Sequence, residues 1–548
     1  MKKSCWPTLL IAALVTLLLQ GCASLLPPPK DRQADTAIAA STATALGRIA
    51  AQSVPAGEWS GLRPLPLSAY SMDARLALAR GAQSSLDLQY YLLQNDVTGH
   101  ALLQAVKDAA LRGVKVRVLV DDMYTADSDS MLLALAAYPN VQVRLFNPFP
   151  TGRAFSLTRW ASSLPDFARV NHRMHNKMFI ADGAFAVAGG RNIANEYFFR
   201  DEKGNFLDFD LLIAGSAVPK MQTIFDTYWN SPHTYPLHEI VSSQETAQAL
   251  RASFEQLVAG AESAYPELPP DFPDLLGYLP LSADLERRTP LKMLYGTVDV
   301  FADSPEKVSG RAEQGNDSST VTSHVIEAMR AARSEIVLST PYFIPGERGL
   351  TLLDELRQDG RHVSLLTNSL SSNDEPFASA AYARYRVPML KLGVEIDEVD
   401  ANQLKQLAMR TTGVGMDQGS FDHAKPSSGA TALSLRNAVG RSHAKLLVID
   451  QRKSFVGSMN MDLRSSRLNT ELGLIIDSPD LAKDILALVN GARSSGTYHL
   501  RLVQPGDQLQ WVSIENGVEK VNDHEPEVGM ATRLQLLLFS PFIDEGLL

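Results

Sequence analysis

Cysteine is close to absent: the chain has two, Cys5 and Cys22. Cys5 falls in a leader-like stretch, so a processed chain would keep Cys22 alone, which rules out a disulfide framework and any cysteine-based metal site. No long block of Lys and Arg is present, and the net charge is −10. Both speak against nucleic acid as the main partner, because phosphate-backbone binding relies on clustered cations. The N-terminal apolar run, Leu9 to Leu19, is eleven residues. A membrane-spanning helix needs roughly 20. Apolar and charged fractions are otherwise ordinary, and the length suggests about two to four domains with a large core.

What the N-terminus does have is two lysines, the short apolar run and small residues around Cys22. That is the pattern of a secretory signal peptide, residues 1–21. "LQGC" resembles a bacterial lipobox, which implies cleavage before Cys22 and lipidation of that residue. An ordinary cleaved signal with an incidental cysteine is the plainer alternative. With Ala23 following, the lipobox reading places the protein on the outer membrane of a Gram-negative cell, facing the periplasm. Residues 22–54 then form a tether, "LLPPPKDRQ", and a helix expected over Asp35–Ala51.

The chain repeats itself. His175 and His443, Lys177 and Lys445, Asp182 and Asp450, Gly189 and Gly457, and Asn192 and Asn460 all share one offset of 268 residues. Upstream, "LALARGAQSSLDLQYYLLQNDVTGHALLQAVKDAALRGVKVRVLVDD" parallels "VIEAMRAARSEIVLSTPYFIPGERGLTLLDELRQDGRHVSLLTNS". Each reads as helix, buried strand, loop, helix, buried strand. Short runs rich in strand formers, spaced by helical patterns, are βαβ wiring. The fold class expected is therefore α/β: two homologous domains, 55–290 and 291–496, each a mixed, mostly parallel sheet flanked by helices, with the site where they meet. The Pro-rich "YPELPPDFPDLLGYLP" is the irregular connection, and residues 497–548 form a C-terminal extension.

In a strand "HNKMFIAD", His175, Lys177 and Phe179 share one face, and "HAKLLVID" repeats this with His443 and Lys445. Asp182 and Asp450 fall at the strand ends; Asp182-Gly183 looks like a turn, and both carboxylates read as structural acceptors. Asn192 and Asn460, after glycines that allow close backbone approach, can donate amide hydrogen bonds to anionic oxygens. Two lysines and two asparagines around one point suit a phosphodiester, so no metal or other cofactor is expected. One imidazole can attack the phosphorus while another protonates the departing alkoxide. Neither half has two such histidines. Each also needs a partner that fixes its tautomer. Counted within each half, Glu471 lies 28 residues after His443 and Asp208 lies 33 after His175, with Asp210 an alternative. Asp121-Asp122 reads as a solvated strand end rather than a metal site.

The His, Lys and Asp of this doubled pattern make two complete HKD motifs, and the chain resembles the phospholipase D superfamily. "LDLQYYLLQND", "RLFNPF", "RMHNKMFIADG", "GGRNIANEYF", "LTNSLSSND", "ARYRVPMLKLGVEI", "FVGSMNMDLRSSRLNTELGLII" and the final "GLL" resemble its bacterial cardiolipin synthase C branch. The resemblance implies a two-lobed, metal-independent phosphatidyltransferase working through a phosphohistidine, with all six motif residues catalytic, His175 as nucleophile and His443 as general acid, then base. It also implies phospholipid partners, phosphatidylglycerol and a second lipid such as phosphatidylethanolamine, and no nucleic acid. This chain departs from the pattern at Gly190, where many members have Ser, and at Asp208, where Glu is usual.

Three rivals stand beside that reading: hydrolysis to phosphatidic acid, a phosphodiesterase acting on nucleic acid, and a catalytically silent envelope protein. Leu534, Leu537, Leu538 and Phe542 in "ATRLQLLLFSPFIDEGLL" suit a membrane surface, and a helix packed on its own domain suits them as well.

Overall fold

The computed structural model describes residue 26 and residues 33–149, 151–153, 156–163, 166–309, 319–401, 439–503, 505, 507–515 and 517–529. The signal region with Cys22 and the C-terminal "ATRLQLLLFSPFIDEGLL" lie outside the described residues.

The two copies of the repeat fold into two sheets of matching strand order. In the first lobe the order is Ser60–Leu65, Asp210–Gly215, Phe185–Gly189, Met178–Ala181, Ser85–Tyr90, Lys115–Asp121, Val141–Phe146 and Thr234–Pro236. In the second it is Leu294–Ala302, Leu472–Asp477, Lys453–Gly457, Leu446–Ile449, Glu335–Ser339, His362–Asn368 and Glu395–Val399. Ser60–Leu62 pairs antiparallel with Leu294–Gly296 and joins the lobes.

The sheets are mixed, but less parallel than expected. Parallel pairing is confined to the three helix-connected strands of each lobe. The motif strands instead return through tight hairpins, and a hairpin enforces antiparallel pairing. At the first apex Asp182 and Gly183 both take left-handed backbone, φ 51° and 61°; at the second Asp450 and Gln451 do the same, φ 52° and 54°. Two successive positive φ values are what a two-residue hairpin turn with the right twist requires.

Residues on alternate sides of these strands fill different cores. Leu86, Leu88, Val116, Val118 and Phe179 pack under the helices Ser68–Gly81 and Val97–Leu111 in the first lobe. Leu119, Met178, Ile180, Val448, Val456 and Leu474 instead join one central core with the helices Ala217–Trp229 and Pro479–Gly496. That shared core, built from both repeats, fixes the lobes against each other.

Two boundaries differ from expectation. The N-terminal helix is shorter, Ala45–Ser53, capped by Thr44 accepting the Gly47 N–H. Residues 35–41 run without regular structure over the first lobe because side chains there satisfy their backbone: Ala37 N–H donates to Asp226, Gln222 donates to the Ile38 carbonyl, and Asn230 to the Asp35 carbonyl. At the other end the second sheet continues past Gly496: Thr497–Val503 pairs with Glu395–Val399, and Gln508–Glu515 and Val518–Asn522 follow.

Candidate active site

The histidines do not sit inside the regular strands. His175 follows Met174, which bridges Thr470 of the other lobe; His175 N–H donates to the Thr470 carbonyl at 2.8 Å, and Thr470 N–H to the Arg173 carbonyl at 2.8 Å. The mirror arrangement serves His443. Val439–Ser442 pairs parallel with Gly204–Leu207, and His443 N–H donates to the Leu207 carbonyl at 2.7 Å.

These inter-lobe pairings carry the next residues, Glu471 and Asp208, across the interface. His175 Nδ1 lies 2.9 Å and 3.1 Å from the Glu471 carboxylate oxygens, and His443 Nδ1 lies 2.6 Å from Asp208 Oδ2. Each imidazole is thus oriented by the carboxylate of the opposite lobe, which corrects the count made within each half. With Nδ1–H donating to the carboxylate, Nε2 is left for chemistry. Asp210, the alternative, is occupied elsewhere by Ser71, Arg75 and Arg191.

Lys177 and Lys445 are buried, and each ammonium donates to the carbonyl of the histidine two residues before it, both at 2.6 Å. Lys445 Nζ also stands 2.9 Å and 3.1 Å from the two nitrogens of the His443 ring. Burial pushes Lys445 down to about 8, against the pull of Asp208 and Glu471. Burial and the neighbouring Lys445 push Lys177 well below its usual range, although Glu471 opposes them. His175 is pushed down to about 4 by burial, with Lys177 adding to it, and His443 falls well below its usual range through burial and Lys445. Burial thus disfavours charge on both imidazoles and both lysines, and an anion beside them would oppose that shift.

The two carboxylates differ. Burial opposes ionisation of Glu471, but the His175 ring, Lys177 and the Ser458 hydroxyl outweigh it and hold the carboxyl below its usual value. Ser458 and Ser465 both donate to it. Asp208 has the backbone N–H of Phe209, and burial lifts it to about 6 despite Lys445 and Arg191. Gly190 stands where the other lobe has Ser458. A Cβ there would fall inside van der Waals contact of the Asp208 carboxylate, so the glycine makes room for a carboxylate set close to the backbone.

Asp182 accepts the backbone N–H groups of Gln83, Ser84 and Ser85, and Asp450 those of Arg333, Ser334 and Glu335. Partial burial opposes it, yet these bonds and the Ser334 hydroxyl hold Asp450 down at about 2. The motif aspartates thus tie the hairpin apex to the start of the central strand and do not reach the reacting centre. Asn192 is held by the Leu92 N–H on its oxygen and by donation to the Tyr197 hydroxyl, with a second amide hydrogen remaining. The Asn460 backbone N–H donates to Ser465 Oγ, the hydroxyl that holds Glu471.

Sequence reasoning missed three supports. Tyr91 meets His175 edge-on, ring centroids 5.0 Å apart, and Tyr197 meets His443 at 5.1 Å, with Phe206 at 4.9 Å. The tyrosines stood in "LQYYLL" and "NEYF", but nothing in one sequence separates a ring over a motif imidazole from a core ring. Asp121 and Asp122 are buried, not solvated: Asp121 accepts the Met174 N–H at 2.8 Å and pairs with Arg173, while Asp122 pairs with Arg153. Asp121 therefore holds the segment that presents His175. Among the described residues no cluster of His, Cys, Asp and Glu is arranged to hold a metal ion.

Two crossed histidine–carboxylate pairs and two buried lysines at the meeting of two homologous α/β lobes define a phosphodiester-handling enzyme. The family described as "Cardiolipin synthase, PLD-like domain" matches residues 76–229 and 325–491, and the chain belongs to this phospholipase D-type family of phosphatidyltransferases. It is 32% identical to "Cardiolipin synthase C" of Escherichia coli (strain K12) over 89% of this chain and 96% of that protein. It is 24% identical to the "Cardiolipin synthase" of Oceanobacillus iheyensis, over 74% of this chain and 63% of that one. The solved phosphatidylserine synthase of Haemophilus influenzae Rd KW20 shares the fold, with a TM-score of 0.54 and 15% identity, covering 92% of this chain and 99% of that one. Among the described residues, no helix is long and apolar enough to cross a membrane.

Proposed function

We propose that this enzyme makes cardiolipin by moving a phosphatidyl group from one phospholipid to another, with phosphatidylglycerol as one substrate and a second lipid such as phosphatidylethanolamine as the other. The observation that carries the reading is the crossed pair of histidines, each with Nδ1 on a carboxylate and both beside buried lysines. An arriving phosphodiester monoanion favours the charged form of the buried lysines and an added proton on an imidazole. That proton is the one the leaving group needs.

His175 takes the nucleophile's part. Its Nε2 lone pair forms the P–N bond as the P–O bond to the leaving head group breaks, and His443 gives that alkoxide its proton. The phosphorylated imidazole is cationic, and Glu471, held ionised by its serine donors, is suited to face it. The acceptor's hydroxyl then gives its proton to His443 and forms a new P–O bond while the P–N bond breaks. Asp208, lifted to about 6, is a softer partner that suits a histidine which gains and loses a proton in each cycle. Lys177, Lys445, Asn192 and Asn460 bind the phosphate oxygens.

A lipid anchor on Cys22 and a Pro-rich tether would hold the lobes at a periplasm-facing membrane and raise the local concentration of head groups. Loss of palmitate labelling in Cys22→Ser checks the anchor. The reaction is tested by lipid mass spectrometry of cells expressing wild type, His175→Ala or His443→Ala. Cardiolipin should rise with the wild type alone. Phosphatidic acid in its place would mean hydrolysis, and unchanged lipids would refute lipid turnover.

A further inference from the structure

The repeat makes each lobe a control for the other, and they differ beside the site. Strand and helix positions up to the loop after the central strand correspond at an offset of 250, as the backbone donors to Asp182 and Asp450 show (Gln83 and Arg333, Ser85 and Glu335). Past the motif the offset is 268. In the first lobe the Arg75 guanidinium, on the helix Ser68–Gly81, is fully buried on Asp210 and 6.0 Å from the Phe198 ring, and Phe198 packs against Tyr265. At the corresponding positions the second lobe has Val325 for Arg75 and Ser466 for Phe198. Gly473, paired with Gly457 as Asp210 is with Gly189, stands for the missing carboxylate.

These smaller residues leave a cavity of about 510 Å³ between the helices Val321–Arg330 and Gly346–Gln358. Val325, Met329, Phe343, Leu352 and Leu463 are among its walls, and Asn460 belongs to it as well. Through Ser465 Oγ, the Asn460 backbone is two hydrogen bonds from Glu471, the partner of His175. Arg330, Arg348 and Arg467, all exposed, line its outer side. A mostly apolar hollow that shares Asn460 with the site, and whose three exposed arginines outnumber the one lining carboxylate, Asp462, suits a hydrocarbon chain attached to an anionic phosphate.

We propose that this cavity seats one acyl chain of the phospholipid that the enzyme turns over, with Asn460 at the junction of chain site and phosphate site. The proposal rests on the lipid reading above, and its test separates the two. The first arm compares phosphatidylglycerols with short and long saturated chains, using wild type, Ser466→Ala and Ser466→Phe, the last copying the first lobe. The wild-type and Ser466→Ala kcat/KM should climb by up to roughly fourfold per added methylene that enters the cavity, while in Ser466→Phe the ratio of long-chain to short-chain kcat/KM should stay nearly flat. An unchanged climb in Ser466→Phe would overturn the proposal.

The second arm needs neither turnover nor a substitution in the cavity. A phosphatidylglycerol carrying a photoreactive group at one acyl terminus is crosslinked to the full-length His175→Ala protein. Label on the peptides containing Met329 or Leu352 is expected. Label confined to other surfaces would overturn the cavity even if cardiolipin forms, and label at these peptides without lipid turnover would keep the chain site while refuting the transferase.

Discussion

The two half-sites are built from the same motif and are not equivalent. The Glu471 side has two serine donors and an ionised carboxylate; the Asp208 side has a glycine at the matching place, one backbone donor and a carboxyl lifted to about 6. A duplicated fold supplies symmetry, and small changes in the donors around the two carboxylates make its halves unlike. In the reaction proposed above, the half with the firmer anion suits the histidine that becomes cationic on attack, and the half with the softer one suits the histidine that shuttles a proton.

The largest expected effect comes from removing either imidazole, a loss on the order of 10²–10⁴ in kcat for His175→Ala and for His443→Ala. The difference appears with a nitrophenyl phosphodiester, whose leaving group needs no proton: a first-turnover burst of nitrophenol should return in His443→Ala and stay lost in His175→Ala. Equal recovery in both would erase the distinction. Next come the carboxylates. Glu471→Gln should cost on the order of 10²-fold in kcat and Asp208→Asn nearer 10-fold, within the range for groups that orient a working histidine; the reverse ranking would invert the assignment.

The pH profile separates the halves further. Lys445 is held at about 8, so above that pH its ammonium is lost and KM for the phospholipid should rise. Asp208 is held at about 6, so below that pH it becomes neutral, releases its hold on His443 and lowers kcat. Asp208→Asn should abolish that acidic fall. A smaller change, Ser458→Gly, gives the second half the first half's glycine; it removes one bond to Glu471 and should cost ~1–3 kcal/mol of stability by thermal unfolding with a several-fold loss of kcat. Smallest for catalysis are Asp182→Asn and Asp450→Asn, whose carboxylates hold backbone at the hairpin apices. They should lower Tm while leaving kcat of the folded fraction within about threefold, and a loss like that of His175→Ala would contradict a structural role.

Much of this was legible in the sequence. The shared offset gave two lobes, the helix-strand alternation gave the α/β class, and the doubled His and Lys gave the centre. The crossing of Glu471 to His175 and Asp208 to His443 was not, because it depends on backbone pairing between Met174 and Thr470 and between Ser442 and Leu207. Those contacts join residues far apart in the chain without a periodic signal. The extent of parallel pairing was overestimated because the helical spacing of the first three strands says nothing of the hairpins that follow. Asp121 and Asp122 looked solvated because the arginines that bury them, Arg173 and Arg153, lie 52 and 31 residues away. The second-lobe cavity was written in the sequence as Val325 and Ser466 against Arg75 and Phe198, but it acquires meaning only once the fold shows that these pairs occupy one place.

The central claim is that His175 carries the phosphatidyl group and His443 carries the proton. The most direct test is to mix the His443→Ala protein with the nitrophenyl ester of phosphatidic acid, whose leaving group needs no proton, quench at alkaline pH where phosphohistidine survives, and map the adduct by peptide mass spectrometry. The account predicts a phosphatidyl adduct on the peptide containing His175 and none when His175→Ala is added. An adduct on the His443 peptide of the wild type, or turnover with no adduct on either, would contradict it.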